Sequence, residues 1–220
     1  MNRYLTHITW LFVAVLLISG IVSTKIIAFG PFTFDGGTLL FPLSYIFGDV
    51  LTEVYGYKES RKVIRIWLIS MVMMSAMILL IGRLPNAGDW TFQVDYNNIL
   101  MIAPRIFVGS IIAYFVGEFV NSYMLARLKV RMQGKQLWIR TVGSTLIGQL
   151  FDTVIMITIA FRGVFDTDTF LMIIVSNYIF KVWVEVLFTP VTYAVIWWLK
   201  KEEESDVYDV GTDFNPFLIK

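Results

Sequence analysis

Six stretches of this chain stay apolar for about 20 residues, the length a helix needs to cross a hydrocarbon core of roughly 30 Å. They fall at about Ile8–Ala28, Thr38–Tyr55, Val63–Arg83, Met101–Arg127, Ile139–Phe161 and Phe170–Leu199. Lipid offers no partner to a peptide group, so segments of this length satisfy their backbones as helices. The expected fold is therefore all-α, a polytopic bundle of six transmembrane helices over 1–199, followed by a polar tail over 200–220. The composition agrees: 57% of the 220 residues are hydrophobic and 16% charged, with mean hydropathy +0.69. A formal net charge of +1 gives no bulk attraction to nucleic acid. The absence of cysteine excludes disulfide scaffolds, thiolate metal sites and cysteine nucleophiles, and the one histidine, His7, excludes His-rich metal sites. No metal, cofactor or catalytic residue is expected. The first stretch is too long for a signal-peptide core, lacks an A-x-A cleavage pattern and carries Lys25 near its far end, so it reads as a retained helix.

Charge asymmetry gives the orientation. Lys58, Arg61, Lys62 and Arg65 follow the second stretch, and Arg127, Lys129, Arg131, Lys135 and Arg140 follow the fourth. Lys200 and Lys201 begin the tail and Arg3 lies at the start. The alternate loops, "GPFTFDGG", "LPNAGDWTFQVDYNN" and "RGVFDTDT", are poor in positive charge. The positive-inside rule then puts both termini in the cytoplasm. Trp10, Trp67, Trp138, Trp197 and Trp198 fall at the cytoplasmic ends and Trp90 in an outer loop, as in an aromatic belt. Tyr55 and Tyr57 are expected at the same interface. The tail "KKEEESDVYDVGTDFNPFLIK" is polar enough to be mostly unstructured.

The spans carry more polar groups than residence in lipid requires. Asp49, Glu118, Asp152, Lys181 and Glu185 fall near mid-depth, with Lys25, Glu53 and Arg105 nearer the edges. A charge at the bilayer centre costs about 2.5–3.5 kcal/mol on the insertion scale, so these groups should face the bundle interior and find partners there. Helical spacing sorts them into stripes. Phe41, Tyr45, Asp49 and Glu53 share a face of the second helix, and Tyr114, Glu118 and Asn121 a face of the fourth. Thr141, Thr145, Gln149 and Asp152 line the fifth, and Asn177, Lys181 and Glu185 the sixth. Four polar stripes at one depth, beside aromatic rings, would line a cavity for a small, polar, flat molecule. Each has a plainer reading. Gln149, Asn121 and the threonines can be interhelical hydrogen bonds, and Lys181 with Glu185 an ion pair within one helix. Gly109, Ala113 and Gly117 form a small-residue ridge best read as packing, as does "GSTLIG". Trp183 lies about 200° around its helix from Lys181 and points away from the polar face.

"FPLSYIFGDVLTEVYGYKESRKVI", "PRIFVGSIIAYFVGEFVNS", "GSTLIGQLFDT" and "SNYIFKVWVEVLFTPVTY" resemble the queuosine precursor transporter family, also called the vitamin uptake transporter group, over roughly residues 10–199. The Asp–x–x–Thr–Glu–x–Tyr–Gly element beginning at Asp49 is the most specific piece. The resemblance implies a six-helix inner-membrane importer of 7-deazaguanine precursors such as 7-cyano-7-deazaguanine, related in fold to substrate-binding subunits of energy-coupling-factor transporters. It carries functional roles onto Asp49, Arg105, Gln149, Asp152, Asn177 and Lys181. Glu53 matches part of the family, and Lys25 stands where the family tends to be polar. The chemistry is compatible: a carboxylate can accept the N1–H and amino pair of a deazaguanine, Lys or an amide can donate to O6, and Tyr45 can stack on the ring. Glu53, Glu118 and Glu185 are candidate proton or gate residues. Glu53 could instead partner the bases that follow it, while Asp49 lies too deep for them.

Two other readings compete. An energy-coupling-factor subunit for another vitamin would need an ATPase partner. Such subunits share an Ala-x-x-x-Ala surface on helix one, which here has only Ala14 and Ala28, so a self-sufficient carrier with no obligatory ATPase partner is favoured, and a homodimer is compatible with it. An intramembrane enzyme would need HExxH or a serine with a buried histidine, which His7 cannot supply. Proton symport and facilitated diffusion both remain open as the driving principle.

Overall fold

The computed structural model describes residues 3–22, 24–29, 32–100, 104–161, 167–215 and 218. Seven helices follow one another among them: α1 Leu5–Val22, α2 Phe41–Tyr55, α3 Tyr57–Gly82, α4 Gln93–Leu100, α5 Pro104–Arg131, α6 Leu137–Phe161 and α7 Thr167–Glu203. Five of the helical stretches are long and apolar enough to cross a membrane: Leu5–Val22, Tyr57–Gly82, Val108–Arg131, Leu137–Ile159 and Ile174–Glu203. Large apolar side chains such as Trp10, Ile69, Ile179 and Trp197 cover the outside, the arrangement of a bundle whose solvent is lipid.

The second expected span departs from this pattern. α2 has 15 residues, a rise of about 22 Å at 1.5 Å per residue. It is buried along nearly its whole length from Ser44 to Tyr55. Such a helix meets protein on every side, and this is why it tolerates Asp49 and Glu53 where a lipid-facing helix would not. It ends at Gly56, whose φ of 83° belongs to the left-handed region. A Cβ there would also come within 2.8 Å of Val207 Cγ1. The chain turns and enters α3 at once.

Outside the spans two short features replace expected loop or helix. The chain leaves α1 at Val22, earlier than the expected Ala28, and forms an antiparallel hairpin of β1 Ile26–Phe29 and β2 Phe32–Asp35, with Ile26 opposite Asp35. In the outer loop after α3, α4 is fastened back by Gln93, which donates to the Gly82 carbonyl at 3.0 Å, and by the Tyr96 hydroxyl, which donates to that of Ile78 at 3.1 Å.

α5 and α6 make the closest crossing. A Cβ on Gly117 would lie 2.8 Å from Asp152 Cβ and 3.0 Å from the Gly148 carbonyl, and one on Gly148 would lie 2.9 Å from both Asn121 Cβ and the Gly117 carbonyl. Each glycine leaves room for the other helix's backbone, so the small-residue ridge is a packing seam as expected. The seam sets Asp152, Asn121 and Gln149 close together.

Among the described residues the tail has no regular secondary structure after Glu203, but the expectation that it is mostly unstructured is corrected. Residues 205–215 fold back across the end of the bundle that carries the basic loops. Ser205 Oγ and the Val207 amide both donate to the Val54 carbonyl, at 3.3 and 3.4 Å. Tyr57 and Arg61, expected at an interface or in solvent, are buried beneath it. The Tyr57 hydroxyl donates to the Phe214 carbonyl at 3.0 Å, and Arg61 Nη1 to those of Asp213 and Asn215 at 2.9 and 2.6 Å. Tyr55 is buried too, its hydroxyl donating to Glu203 Oε1 at 3.1 Å. Trp67 also leaves the expected belt: it is buried against Tyr114, ring centroids 4.5 Å apart. Trp10, Trp90, Trp138, Trp197 and Trp198 are exposed as the belt requires, and Trp183 points outward.

Candidate functional site

Because α2 is enclosed by its neighbours, its polar side chains meet those of α5, α6 and α7. Asp49 is 0% exposed. Asn121 Nδ2 donates to its Oδ1 at 3.1 Å, while its Oδ2 has no donor among the described residues. Glu185 on α7 and Glu118 on α5 are the acids in electrostatic reach from the neighbouring helices. Glu118 packs against the Cα of Gly48, with the Tyr114 hydroxyl of its own helix beside its carboxyl. No side chain larger than hydrogen fits at Gly48 without displacing that carboxyl.

The α6 stripe faces the same region. Gln149 is 0% exposed, and neither its amide nitrogen nor its oxygen has a described partner; the hydroxyls of Thr145 and Thr153 share that condition. One turn on, Lys181 Nζ donates to Asp152 Oδ2 at 2.5 Å, tying α7 to α6. The plainer reading of Lys181, a pair with Glu185 on its own helix, gives way to this interhelical pair. The ammonium also lies 5.4 Å from the centre of the Phe41 ring, whose centroid is 4.5 Å from that of Tyr45. Tyr45 is buried. The arrangement is a set of mostly buried acceptors and donors with aromatic faces beside it, and Lys181 reaches its edge with 24% of its side chain exposed. Buried polar groups without partners are uncommon because each costs about 1–3 kcal/mol, and here they gather on four helices, α2, α5, α6 and α7.

Among the sequence candidates, Asp49, Tyr45, Gln149, Asp152, Lys181, Glu118 and Glu185 come together here. Asn177 lies one turn before Lys181 and is exposed. Lys25 is exposed between α1 and the hairpin. Arg105 sits in the first turn of α5, and its side chain lies outside the described residues. Asn121, Thr153 and Phe41 enter the set as further members. Asn121 already stood on the α5 stripe, and Thr153 is one turn beyond Gln149, so helical spacing was the available signal.

Glu53 belongs elsewhere. It is 0% exposed and holds three cations, none from the run that follows it in sequence. Arg140 of α6 pairs with Oε2, Lys200 of α7 with Oε1 at 2.7 Å, and Lys129 of α5 lies 3.7 Å from Oε1 while donating to the Glu53 carbonyl at 2.5 Å. Asp206 of the tail completes the group, 2.5 Å from Lys129 and 2.8 Å from Lys200. Partial burial acts to raise the Asp206 pKa, but these two ammonium groups outweigh it and hold the carboxyl below its ordinary range.

A family model described as "Putative vitamin uptake transporter" matches residues 35–195, which include every residue of the buried polar set. The chain belongs to this family. It is 30% identical over 173 residues to the "Probable queuosine precursor transporter" of Bacillus subtilis strain 168, covering 77% of this chain and 74% of that protein. It is 25% identical over 163 residues to the "Queuosine precursor transporter" of Escherichia coli strain K12, covering 73% and 71%. To a Haemophilus influenzae protein named like the first it is 25% identical over 185 residues, covering 80% and 75%. No solved structure matches it. Family membership and the long apolar helices make this chain a multi-pass membrane transporter, not an enzyme.

Proposed function

We propose that this chain imports a 7-deazaguanine precursor of queuosine, such as 7-cyano-7-deazaguanine, across the inner membrane. The names of its relatives support the substrate class. The observation that carries the site is the convergence of Asp49, Gln149 and the Asp152–Lys181 pair on one buried region, with Asp49 Oδ2 and both Gln149 polar atoms lacking described partners. In this reading a carboxylate accepts the N1–H and amino pair of the base, Gln149 or Lys181 donates to O6, and Tyr45 or Phe41 covers the ring. Asn177 and Arg105 would complete the site toward the outer face. Glu118 and Glu185, acids beside Asp49, are the candidate proton carriers, and Glu53 a gate residue.

α2 counts as a sixth crossing in this proposal, shortened because it is wrapped by the other five. Both termini are then cytoplasmic, with the Glu53 cluster at the cytoplasmic end, in agreement with the positive-inside rule. Transport proceeds by exposing the enclosed site to each side in turn, by this chain without an ATPase.

The test is binding of 7-cyano-7-deazaguanine to purified protein, with guanine and riboflavin as competitors, followed by uptake into liposomes holding this chain alone. Saturable binding that riboflavin does not displace, lost in Asp49→Asn or Asp152→Asn, is the expected result. Retention of wild-type affinity in both variants would sink the site assignment. Uptake only when an ATPase is added would favour an energy-coupling-factor subunit.

A further inference from the structure

We propose that the tail segment 205–215 is a latch that holds the cytoplasmic gate of the carrier closed. The inference rests on the chain being a transporter and on the orientation given above, and not on which molecule it carries.

Opening a path from the enclosed site to the basic end requires the C-terminal half of α2 to part from α5, α6 and α7. Glu53 already bonds to one cation on each of those three helices. The tail adds a second layer across the same joint. Asp206 bridges Lys129 of α5 and Lys200 of α7. Lys129, 1% exposed, also donates to the Val207 carbonyl at 2.6 Å and lies 4.7 Å from the centre of the Tyr208 ring. One ammonium therefore joins α2, α5 and the tail.

The next tail residues grip the corner between α2 and α3. Val207 crosses directly over Gly56, the left-handed residue on which any swing of α2 against α3 would turn. Asp209 Oδ2 accepts the Tyr57 amide at 2.9 Å, one of the first amides of α3, which no side chain at Gly56 can cap. Thr212 Oγ1 donates to the other Asp209 oxygen at 3.0 Å. Phe214 then stacks near Tyr57, Tyr123 and Arg127, with each centre-to-centre or cation-to-ring distance 4.9 Å. A tail that merely trailed from α7 would need none of these contacts. They bind the moving parts to one another and leave the enclosed polar site untouched.

Because the chain has no cysteine, gate opening can be read with a single introduced thiol. Thr52→Cys puts it one turn inside Gly56, at a buried position. A membrane-impermeant maleimide is applied to the basic side in inside-out vesicles. The expected result is slow labelling with the tail intact and labelling at least about tenfold faster in Asp206→Asn/Asp209→Asn. A control thiol at Trp90→Cys, in the outer loop, should label at an unchanged rate from its own side. Equal labelling of Thr52→Cys with and without the two tail substitutions overturns the latch, and so does acceleration at both thiols, which reports loosening of the fold. A second arm fixes the latch shut through a Val54→Cys/Val207→Cys disulfide. Oxidation should abolish uptake of 7-cyano-7-deazaguanine and reduction restore it, and undiminished uptake when oxidised overturns the proposal. The labelling arm needs no substrate, so it stands even if the substrate reading fails.

Discussion

Asn121 on α5 donates its side-chain amide to Asp49 on α2 at 3.1 Å, the hydrogen bond that fixes which carboxylate oxygen remains available. Asn121→Ala should leave Asp49 with neither oxygen engaged and free to rotate. A lost hydrogen bond to a charged group is worth about 1.5–3 kcal/mol, so affinity for 7-cyano-7-deazaguanine should fall by about tenfold or more. Titration calorimetry on purified protein checks this, and unchanged affinity would remove Asn121 from any role in orienting Asp49.

The Lys181–Asp152 pair joins α7 to α6 while partly exposed, with side-chain exposures of 24% and 10%. Lys181→Gln and Asp152→Asn should each lower thermal stability. The double variant should be more stable than the sum of the single losses predicts, with a coupling energy of about 0.5–3 kcal/mol. Strict additivity in a double-mutant cycle would show that the two groups do not act as a pair.

Gly117 and Gly148 face backbone, which cannot yield cheaply. Alanine at either position should cost about 1–3 kcal/mol through overpacking and lower the midpoint of thermal unfolding in detergent. Gly88, which has nothing within 4 Å of a built Cβ, is the internal control. If Gly148→Ala melted no lower than Gly88→Ala, the close α5–α6 crossing would be disproved.

The tail should stay docked through moderate acidification. Asp206 has a pKa depressed below its ordinary value by Lys129 and Lys200. Its contribution is fully present above the unfolded-state pKa of about 3.9 and is lost only as pH falls through the lower folded value. Protease cleavage of the tail should therefore be equally slow at pH 8 and pH 5, and accelerate only below about pH 4. Release between pH 7 and pH 5 would show that another group controls docking.

Legibility in the sequence tracked the range of the forces involved. The long spans were readable because hydropathy needs no knowledge of neighbours, and the α5–α6 seam because small residues at helical spacing leave few alternatives. Asp49 was placed deep by counting along its helix. Asn121 was visible on its stripe but gained its importance only from a partner 72 positions away. Glu53 shows the limit most clearly: sequence proximity offered Lys58, Arg61, Lys62 and Arg65, yet its cations arrive from three other helices. In the tail, polarity does not mean solvation. Its carbonyls accept hydrogen bonds from Arg61 and Arg65, the latter at 2.8 Å to Leu218, and its acids meet Lys129 and Lys200, so a polar segment found polar partners at the bundle's end.

The bond between Tyr57 and Asp209 spans 152 residues. At roughly 5–20 residues per second, a ribosome needs about 8–30 s to make the intervening chain. Throughout that time the start of α3 is inserted and turned, yet lacks the carboxylate that will finish it. The α2–α3 corner is thus completed only after every long apolar helix has been made. A nascent product cut short before Asp209 can hold all the long apolar helices and still lack that closure.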